Sequence, residues 1–186
     1  MPIRRATRTM WITCWIMVAT IVSLWFPTLA QAYPAAAGQR GTPVPPMTWG
    51  ICGFRTPETK VIRTFNRYRA GDGSIFMRGG YAYLLCGTTN FGYWHILTRH
   101  MQDWQKKAFL SGDNWRDLAD SSIAAVLADP DVTKYRPENN TFCYSAEIYL
   151  FNNQTRKAVS ITYPNIVVGA QNNQIVTAYP SKSQCD

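Results

Sequence analysis

The chain has 186 residues, and its 19 Lys and Arg outnumber its 11 Asp and Glu, which gives a net charge of +8. It contains no internal repeat and no low-complexity tract, so repeat architectures are excluded. Basic proteins of this kind suit a polyanionic partner such as nucleic acid, or an anionic cell envelope.

Residues 1–32 have the pattern of a cleavable export signal. Three arginines precede an apolar run over 10–26, and the small-residue sequence Ala30-Gln31-Ala32 follows it. A membrane anchor is the competing interpretation, because the run is about as long as a short spanning helix. Polar residues within the run and the small-residue site favour cleavage after Ala32. We therefore predict a secreted protein, extracellular or in the cell envelope, without stable membrane insertion after cleavage.

The cysteines support export. Cys14 lies within the signal, so four remain in the exported chain: Cys52, Cys86, Cys143 and Cys185. An even number in a small exported domain predicts two disulfides, with three possible pairings. We favour Cys143 with Cys185, joining the first and last strands of a C-terminal sheet, and Cys52 with Cys86 in the N-terminal part. Because no Cys-x-x-Cys pair exists, a zinc site is not expected, and we predict neither metal nor cofactor.

Beyond the signal, the sequence predicts a leader and one domain. Residues 33–48 are rich in proline and glycine and predict a flexible leader, whereas residues 49–186 fit a single domain. Short strands are predicted at 61–65 and 81–86, separated by glycines. A helix follows over Trp94–Leu110, where apolar residues recur at steps of three and four.

A second helix is predicted from Asn114, an N-cap residue, to Ala128, before Asp129-Pro130 ends it. Apolar and polar residues alternate in the remainder, and turn residues separate four predicted strands: 141–151, 158–163, 166–168 and 175–179. We therefore predict an α+β fold in which two N-terminal helices pack on a C-terminal antiparallel sheet of about four strands.

The only two histidines lie five residues apart in Tyr93-Trp-His95-Ile-Leu-Thr-Arg99-His100. At 100° per residue, His100 lies at the edge of the buried stripe, where burial can tune its pKa. The same α-helical geometry predicts that His95 and Arg99 point toward solvent. A single histidine at a helix edge usually has a packing role. Because a second histidine and an arginine lie close by in the sequence, a catalytic role is the alternative interpretation.

The last predicted strand carries a second polar group. A period of two puts Ile175, Thr177 and Tyr179 on one face and Val176 and Ala178 on the other. Neighbouring hydroxyls can donate hydrogen bonds to a phosphate, although Thr and Tyr also favour strands in general.

The pairing of a helical His-x-x-x-Arg-His motif with a last strand that reads Ile-Val-Thr-Ala-Tyr-Pro resembles the barnase–EndoU–colicin–RelE group of toxin ribonucleases. Within that group it is most similar to the ribonuclease A-like domains that end bacterial contact-dependent inhibition toxins. The resemblance covers residues 93–180. It implies metal-independent cleavage of RNA by attack of the 2′-hydroxyl on the phosphodiester, a toxin role, and a cognate inhibitor or immunity protein as a partner.

The resemblance assigns the family's helical histidine to His100, its partner to His95, and the strand hydroxyls to Thr177 and Tyr179. The family's downstream helical arginine is missing, so Arg99 is expected to bind phosphate in its place.

Two lysines near the position of that missing arginine, Lys106 and Lys107, are expected to bind substrate. Tyr93 belongs to a group of aromatic residues ahead of the helix that can stack on bases. We expect a monomer. The alternative function is a non-enzymatic exported binding module with a small disulfide-bonded α+β fold, in which these residues only pack or cap.

Overall fold

The computed structural model describes residues 49–73 and 75–185. The predicted export signal at 1–32 and leader at 33–48 lie outside these residues. Within the described residues, no helix is both long and apolar enough to cross a membrane.

The first part of the domain consists of strands. They are β1 (Val61–Arg67), β2 (Ala70–Asp72), β3 (Ile75–Met77) and β4 (Gly80–Leu85). β1 pairs antiparallel with β4, and the short β2–β3 hairpin lies between them in the chain. Phe65 and Leu84 are almost fully buried, at 3% and 0% exposure. The two glycine-separated strands predicted from the sequence are therefore confirmed, and the structure adds that they pair with each other and contribute to the core.

The helices follow these four strands. α1 (Gly92–His95), a π-helical turn (Ile96–His100) and α2 (Met101–Ser111) run on without interruption, and we call residues 92–111 the histidine helix. α3 (Trp115–Ala128) is the second helix. As predicted, the Asn114 side chain caps it, accepting hydrogen bonds from the backbone N–H groups of Arg116 and Asp117 at 3.0 Å.

The prediction of two N-terminal helices is therefore wrong. The helices lie in the middle of the domain because β1–β4 precede them in the chain and bring their own apolar residues into the core. Only the coarser description, a disulfide-bonded α+β fold, is confirmed.

The C-terminal part is a five-stranded antiparallel sheet: β5 (Val132–Arg136), β6 (Thr141–Ser145), β7 (Ile148–Phe151), β8 (Ala158–Gly169) and β9 (Ile175–Ser181). The long β8 pairs with β6, β7 and β9. The pairs Ser145–Asn165 and Ile148–Thr162 keep one register, so β6 and β7 are two parts of a single interrupted arm beside β8. Two predicted strands merge in β8, and β5 was not predicted.

Both disulfides have the pairing that we favoured. Cys52 is bonded to Cys86 and Cys143 to Cys185, with Cα–Cα distances of 5.6 and 6.1 Å. Cys143 lies in β6, the second strand rather than the first, and Cys185 follows β9. The second disulfide therefore spans β8 and ties the end of the chain to the sheet.

The core lies between the two helices and both strand regions. The largest fully buried side chains come from every part of the domain, including Trp49, Trp104, Ile123, Phe142 and Ile166. Trp104 of the histidine helix also donates a hydrogen bond from Nε1 to the carbonyl of Ala178 in β9, at 3.0 Å. This buried bond holds the histidine helix against the last strand, where the candidate site lies.

Candidate functional site

The π-helical turn decides how the two histidines are related. In an α-helix, residues five apart point about 140° away from each other. A π-helix pairs residue i with i+5, so residues five apart lie nearly above one another. The rings of His95 and His100 are accordingly 5.4 Å apart between centroids, in an edge-to-face arrangement. The expectation that His95 points away from His100 is therefore wrong, because it assumed regular α-helical geometry.

Tyr179 of β9 lies against the other side of His100. The two rings are stacked, with centroids 5.0 Å apart and planes 29° apart. The structure thus brings together both histidines of the motif and the tyrosine of the Thr-Ala-Tyr-Pro strand, from two elements distant in the sequence. We call His95, His100 and Tyr179 the histidine–tyrosine cluster.

β9 carries an irregularity that changes its faces. Its register with β8 shifts between the pairs Val167–Thr177 and Val168–Ile175, which leaves Val176 as an extra residue. Such a bulge reverses the alternation of side chains. Ile175 and Ala178 are both fully buried, so the expectation that Ile175 shares a face with Thr177 and Tyr179 is wrong.

Thr177 lies two residues before Tyr179 in the strand, on the same face. Its hydroxyl oxygen is buried and has no hydrogen-bond partner among the described residues. Buried hydroxyls are usually hydrogen-bonded, and one left without a partner costs about 1–3 kcal/mol. An unused donor next to the cluster is what a site for a polar ligand would contain.

His95 is oriented by a residue that the sequence did not indicate. Its Nδ1 lies 2.7 Å from the backbone carbonyl oxygen of Thr89. Because a carbonyl oxygen only accepts, Nδ1 carries the hydrogen, and Nε2 is the nitrogen left free to gain or lose a proton. The loop before the histidine helix therefore sets the tautomer of His95.

His100 is largely buried, with its side chain 22% exposed, and its Nδ1 lies 3.9 Å from a carboxylate oxygen of Asp103. Burial lowers the pKa of His100, and the charges of His95 and Arg99 lower it further. Asp103 acts in the opposite direction but does not outweigh them. The pKa of His100 therefore lies below its ordinary value, and its neutral form prevails near pH 7.

The predicted cations lie along the exposed side of the histidine helix. Arg99 is exposed and adjoins His100. Lys106 lies 3.8 Å from Asp103, and the Lys107 ammonium donates to the Ser160 hydroxyl at 3.3 Å. Arg99 is thus beside the cluster, whereas both lysines lie farther along the helix.

Tyr93 does not belong to the site. It is 6% exposed and packs edge-to-face against Trp49, with centroids 5.9 Å apart. Its hydroxyl accepts a hydrogen bond from the Arg116 guanidinium. The expected role in stacking on bases is therefore wrong, because the ring is part of the core.

Among residues 49–73 and 75–185, no group of three or more His, Cys, Asp or Glu side chains is arranged to hold a metal ion. The site consists of two histidines, a tyrosine, a threonine hydroxyl and an arginine.

The chain is similar to two proteins of Mycobacterium tuberculosis: uncharacterized protein MT0764 of strain CDC 1551 / Oshkosh and uncharacterized protein Rv0739 of strain ATCC 25618 / H37Rv. Each is 30% identical over 142 residues, which is 74% of this chain and 51% of the relative. The chain thus spans about half the length of the curated relatives that it matches. No protein-family model matches the chain. No solved structure matches it either.

Proposed function

We propose that the protein is an exported, metal-independent ribonuclease that cleaves RNA through attack of the ribose 2′-hydroxyl on the adjacent phosphorus. The observation that carries this proposal is the histidine–tyrosine cluster. His95 and His100 lie 5.4 Å apart, and Tyr179 is stacked on His100 at 5.0 Å. Two imidazoles side by side are able to take one proton and deliver another in a single reaction.

His100 is the better general base of the two. Its lowered pKa keeps it neutral near pH 7, ready to take the proton of the 2′-hydroxyl while the oxygen forms a bond to phosphorus. His95, held by Thr89 at Nδ1, is the general acid and donates an Nε2 proton to the leaving 5′-oxygen as the phosphorus–oxygen bond breaks. The products are a 2′,3′-cyclic phosphate and a free 5′-hydroxyl.

The phosphate gains negative charge on the way to the transition state, and nearby donors lower the energy of that charge. Arg99 supplies a permanent cation beside His100. Thr177 supplies a hydroxyl that has no hydrogen-bond partner among residues 49–73 and 75–185, and Tyr179 supplies a second hydroxyl next to the base. Lys106 and Lys107 extend the positive charge along the histidine helix for the rest of the RNA strand.

The resemblance to toxin ribonucleases supports the same assignment, since it pairs the helix motif with the Thr-Ala-Tyr-Pro strand. Two disulfides and the export signal predicted at 1–32 support a secreted protein. On this proposal the protein acts as a toxin outside its producer, which requires a cognate inhibitor or immunity protein for self-protection.

The test is RNA cleavage by the exported protein, purified with its disulfides intact, in the presence of EDTA. We expect the His100→Ala variant to cleave about 10²–10⁴-fold more slowly, because one general base is worth that factor. Gln105→Ala, an exposed change on the same helix, is the matched control and keeps the wild-type rate. Absence of cleavage by the wild type, or equal rates for wild type and His100→Ala, contradicts the proposal and leaves a binding module as the alternative.

A further inference from the structure

Arg67, the last residue of β1, carries a buried charge. It is 5% exposed. Its terminal nitrogens donate only to neutral oxygens: the carbonyls of Tyr68 and Arg78, the Tyr144 hydroxyl at 2.7 Å and the Asn173 amide oxygen at 3.0 Å. Its Nε–H is buried and has no hydrogen-bond partner in the part of the chain that the structure describes.

Within the same described residues, no ion pair of 4.0 Å or less joins Arg67 to a carboxylate. Arg63, four residues earlier in the same strand, does have a carboxylate partner. Its guanidinium binds both carboxylate oxygens of Asp120, at 2.8 and 3.0 Å. Within the described part of the chain, one arginine of β1 therefore has a counter-ion and the other has none.

A buried charge without a counter-ion is unfavourable. Transfer of an ion from water into a protein interior costs several kcal/mol, and neutral hydrogen-bond partners offset only part of that cost. Arginine does not avoid this cost by losing its proton, because the guanidinium stays protonated in proteins. An anion that enters from solvent and approaches Arg67 relieves this cost.

A cavity of about 370 Å³ gives such an anion a route from solvent to Arg67. Arg67 and Asn173 line it, together with the exposed Arg78. Two aromatic rings at the same cavity face solvent, since Phe76 is 59% and Tyr81 57% exposed. The volume falls in the range of small-ligand sites.

The composition of this cavity indicates the ligand. Arginine binds phosphate oxygens with its planar fork of donors. Exposed aromatic rings stack on bases, each worth about 1–3 kcal/mol. We propose that the cavity is a nucleotide-binding site, with the phosphate near Arg67 and Arg78 and the base stacked on Tyr81 or Phe76.

This site shares no residue with the histidine–tyrosine cluster. The proposal of nucleotide binding is therefore independent of the proposed cleavage reaction. A free mononucleotide and one nucleotide unit of an RNA strand present the same phosphate and base. The binding experiment below separates the two by including both kinds of probe.

Titration calorimetry with the purified protein is the test. The probes are adenosine 5′-monophosphate, inorganic phosphate, adenosine, and a 2′-O-methyl oligoadenylate that lacks the attacking hydroxyl. We expect the monophosphate to bind saturably and more tightly than phosphate or adenosine alone. Tighter binding of the oligonucleotide identifies the natural ligand as a strand, and weaker binding identifies it as a free nucleotide.

The decisive variant is Arg78→Ala, because its side chain is exposed and its backbone carbonyl, which holds Arg67, remains. Loss of one charged phosphate contact weakens nucleotide binding about tenfold or more. Arg55→Ala removes the same charge from an exposed position outside the cavity and leaves binding unchanged. The proposal is overturned if the monophosphate does not bind, if Arg78→Ala binds it as tightly as the wild type, or if phosphate or adenosine alone binds equally well.

Discussion

At the scale of single residues, Asp103 and His95 act on His100 in opposite directions. Burial and the charge of His95 lower the pKa of His100, and the Asp103 carboxylate raises it. The net shift is downward from the ordinary histidine value of about 6.5. A general base works in its deprotonated form, so the acidic limb of the rate profile of the proposed reaction rises with pH through this lowered pKa.

The first prediction is the position of that rise. We expect the acidic limb of the kcat/KM profile to have its midpoint below pH 6.5, the ordinary value. Asp103→Asn removes the one group that raises the pKa of His100, so the midpoint moves to still lower pH. The measurement is the rate of RNA cleavage between pH 4 and pH 8 for the wild type and the variant.

Glu138→Gln removes an exposed carboxylate from the β5–β6 turn and serves as the control, with an unchanged profile. A midpoint that stays in place or moves upward in Asp103→Asn contradicts the assignment of His100 as the base.

Some of these residue-level features were readable from the sequence and others were not. Asp103 follows His100 by three residues, a spacing that makes helix side chains neighbours, so the pair was accessible to sequence reasoning. Thr89 was not, because it acts through its backbone carbonyl, and a carbonyl carries no residue-type signal. Tyr93 was assigned wrongly, since an aromatic residue before a helix fits stacking on a ligand and packing in a core equally well.

At the scale of elements, the π-helical turn is the feature that creates the cluster. It adds one residue to a helical turn, so His95 and His100 occupy the positions that residues four apart take in an α-helix. Thr98 lies within this turn and is exposed, and its hydroxyl donates to the backbone carbonyls of Trp94 and His95 in the preceding turn.

The second prediction follows from this geometry. Deletion of Thr98 converts the π-turn into α-helix and leaves the histidines four residues apart on one face. We expect this variant to fold with a free energy of unfolding within about 1 kcal/mol of the wild type and to cleave RNA at a rate within about tenfold, because no buried group moves. Urea denaturation and the cleavage assay are the measurements.

Deletion of Gln105, on the regular part of the histidine helix, is the matched control. It rotates every later residue by about 100° and takes Ala108, which is fully buried, out of the core. We expect a loss of more than about 2 kcal/mol of stability. Equal damage from the two deletions contradicts the π-turn as the element that aligns the histidines.

The bulge in β9 is the second element-level feature. It allows Ile175 and Ala178, three residues apart, to be buried on one face while Thr177 and Tyr179 face the other. Strict alternation, on which the sequence prediction depended, cannot describe it. A bulge arises from pairing with the neighbouring strand, so the sequence of β9 alone does not reveal it.

At the scale of the whole molecule, the two disulfides hold separate parts of the fold. Cys52–Cys86 joins the segment before β1 to the end of β4, and Cys143–Cys185 joins β6 to the residues after β9. Their sequence separations are 34 and 42 residues. In the chain-entropy model each cross-link of this length lowers the free energy of the folded state relative to the unfolded state by about 4 kcal/mol.

The third prediction concerns the second disulfide. Replacement of both Cys143 and Cys185 by alanine is expected to lower the free energy of unfolding by about 2–5 kcal/mol, measured by urea denaturation. The corresponding Cys52 and Cys86 double variant is the comparison. A loss below about 1 kcal/mol for Cys143 and Cys185 contradicts a role for that disulfide in holding the last strand, and with it Tyr179, in place.

Local features of this protein follow from its amino-acid sequence. The N-cap of α3 at Asn114 and the two strand segments ahead of the helices follow from short-range chemistry, and the structure confirms them. The favoured cysteine pairing, one of three that the sequence left open, is also confirmed. The order of the layers, the π-turn and the stacking of Tyr179 on His100 depend instead on long-range packing. These depend on the packing of β9 against the histidine helix, including the hydrogen bond from Trp104 to Ala178, and packing energies between distant segments leave no periodic signal in either segment.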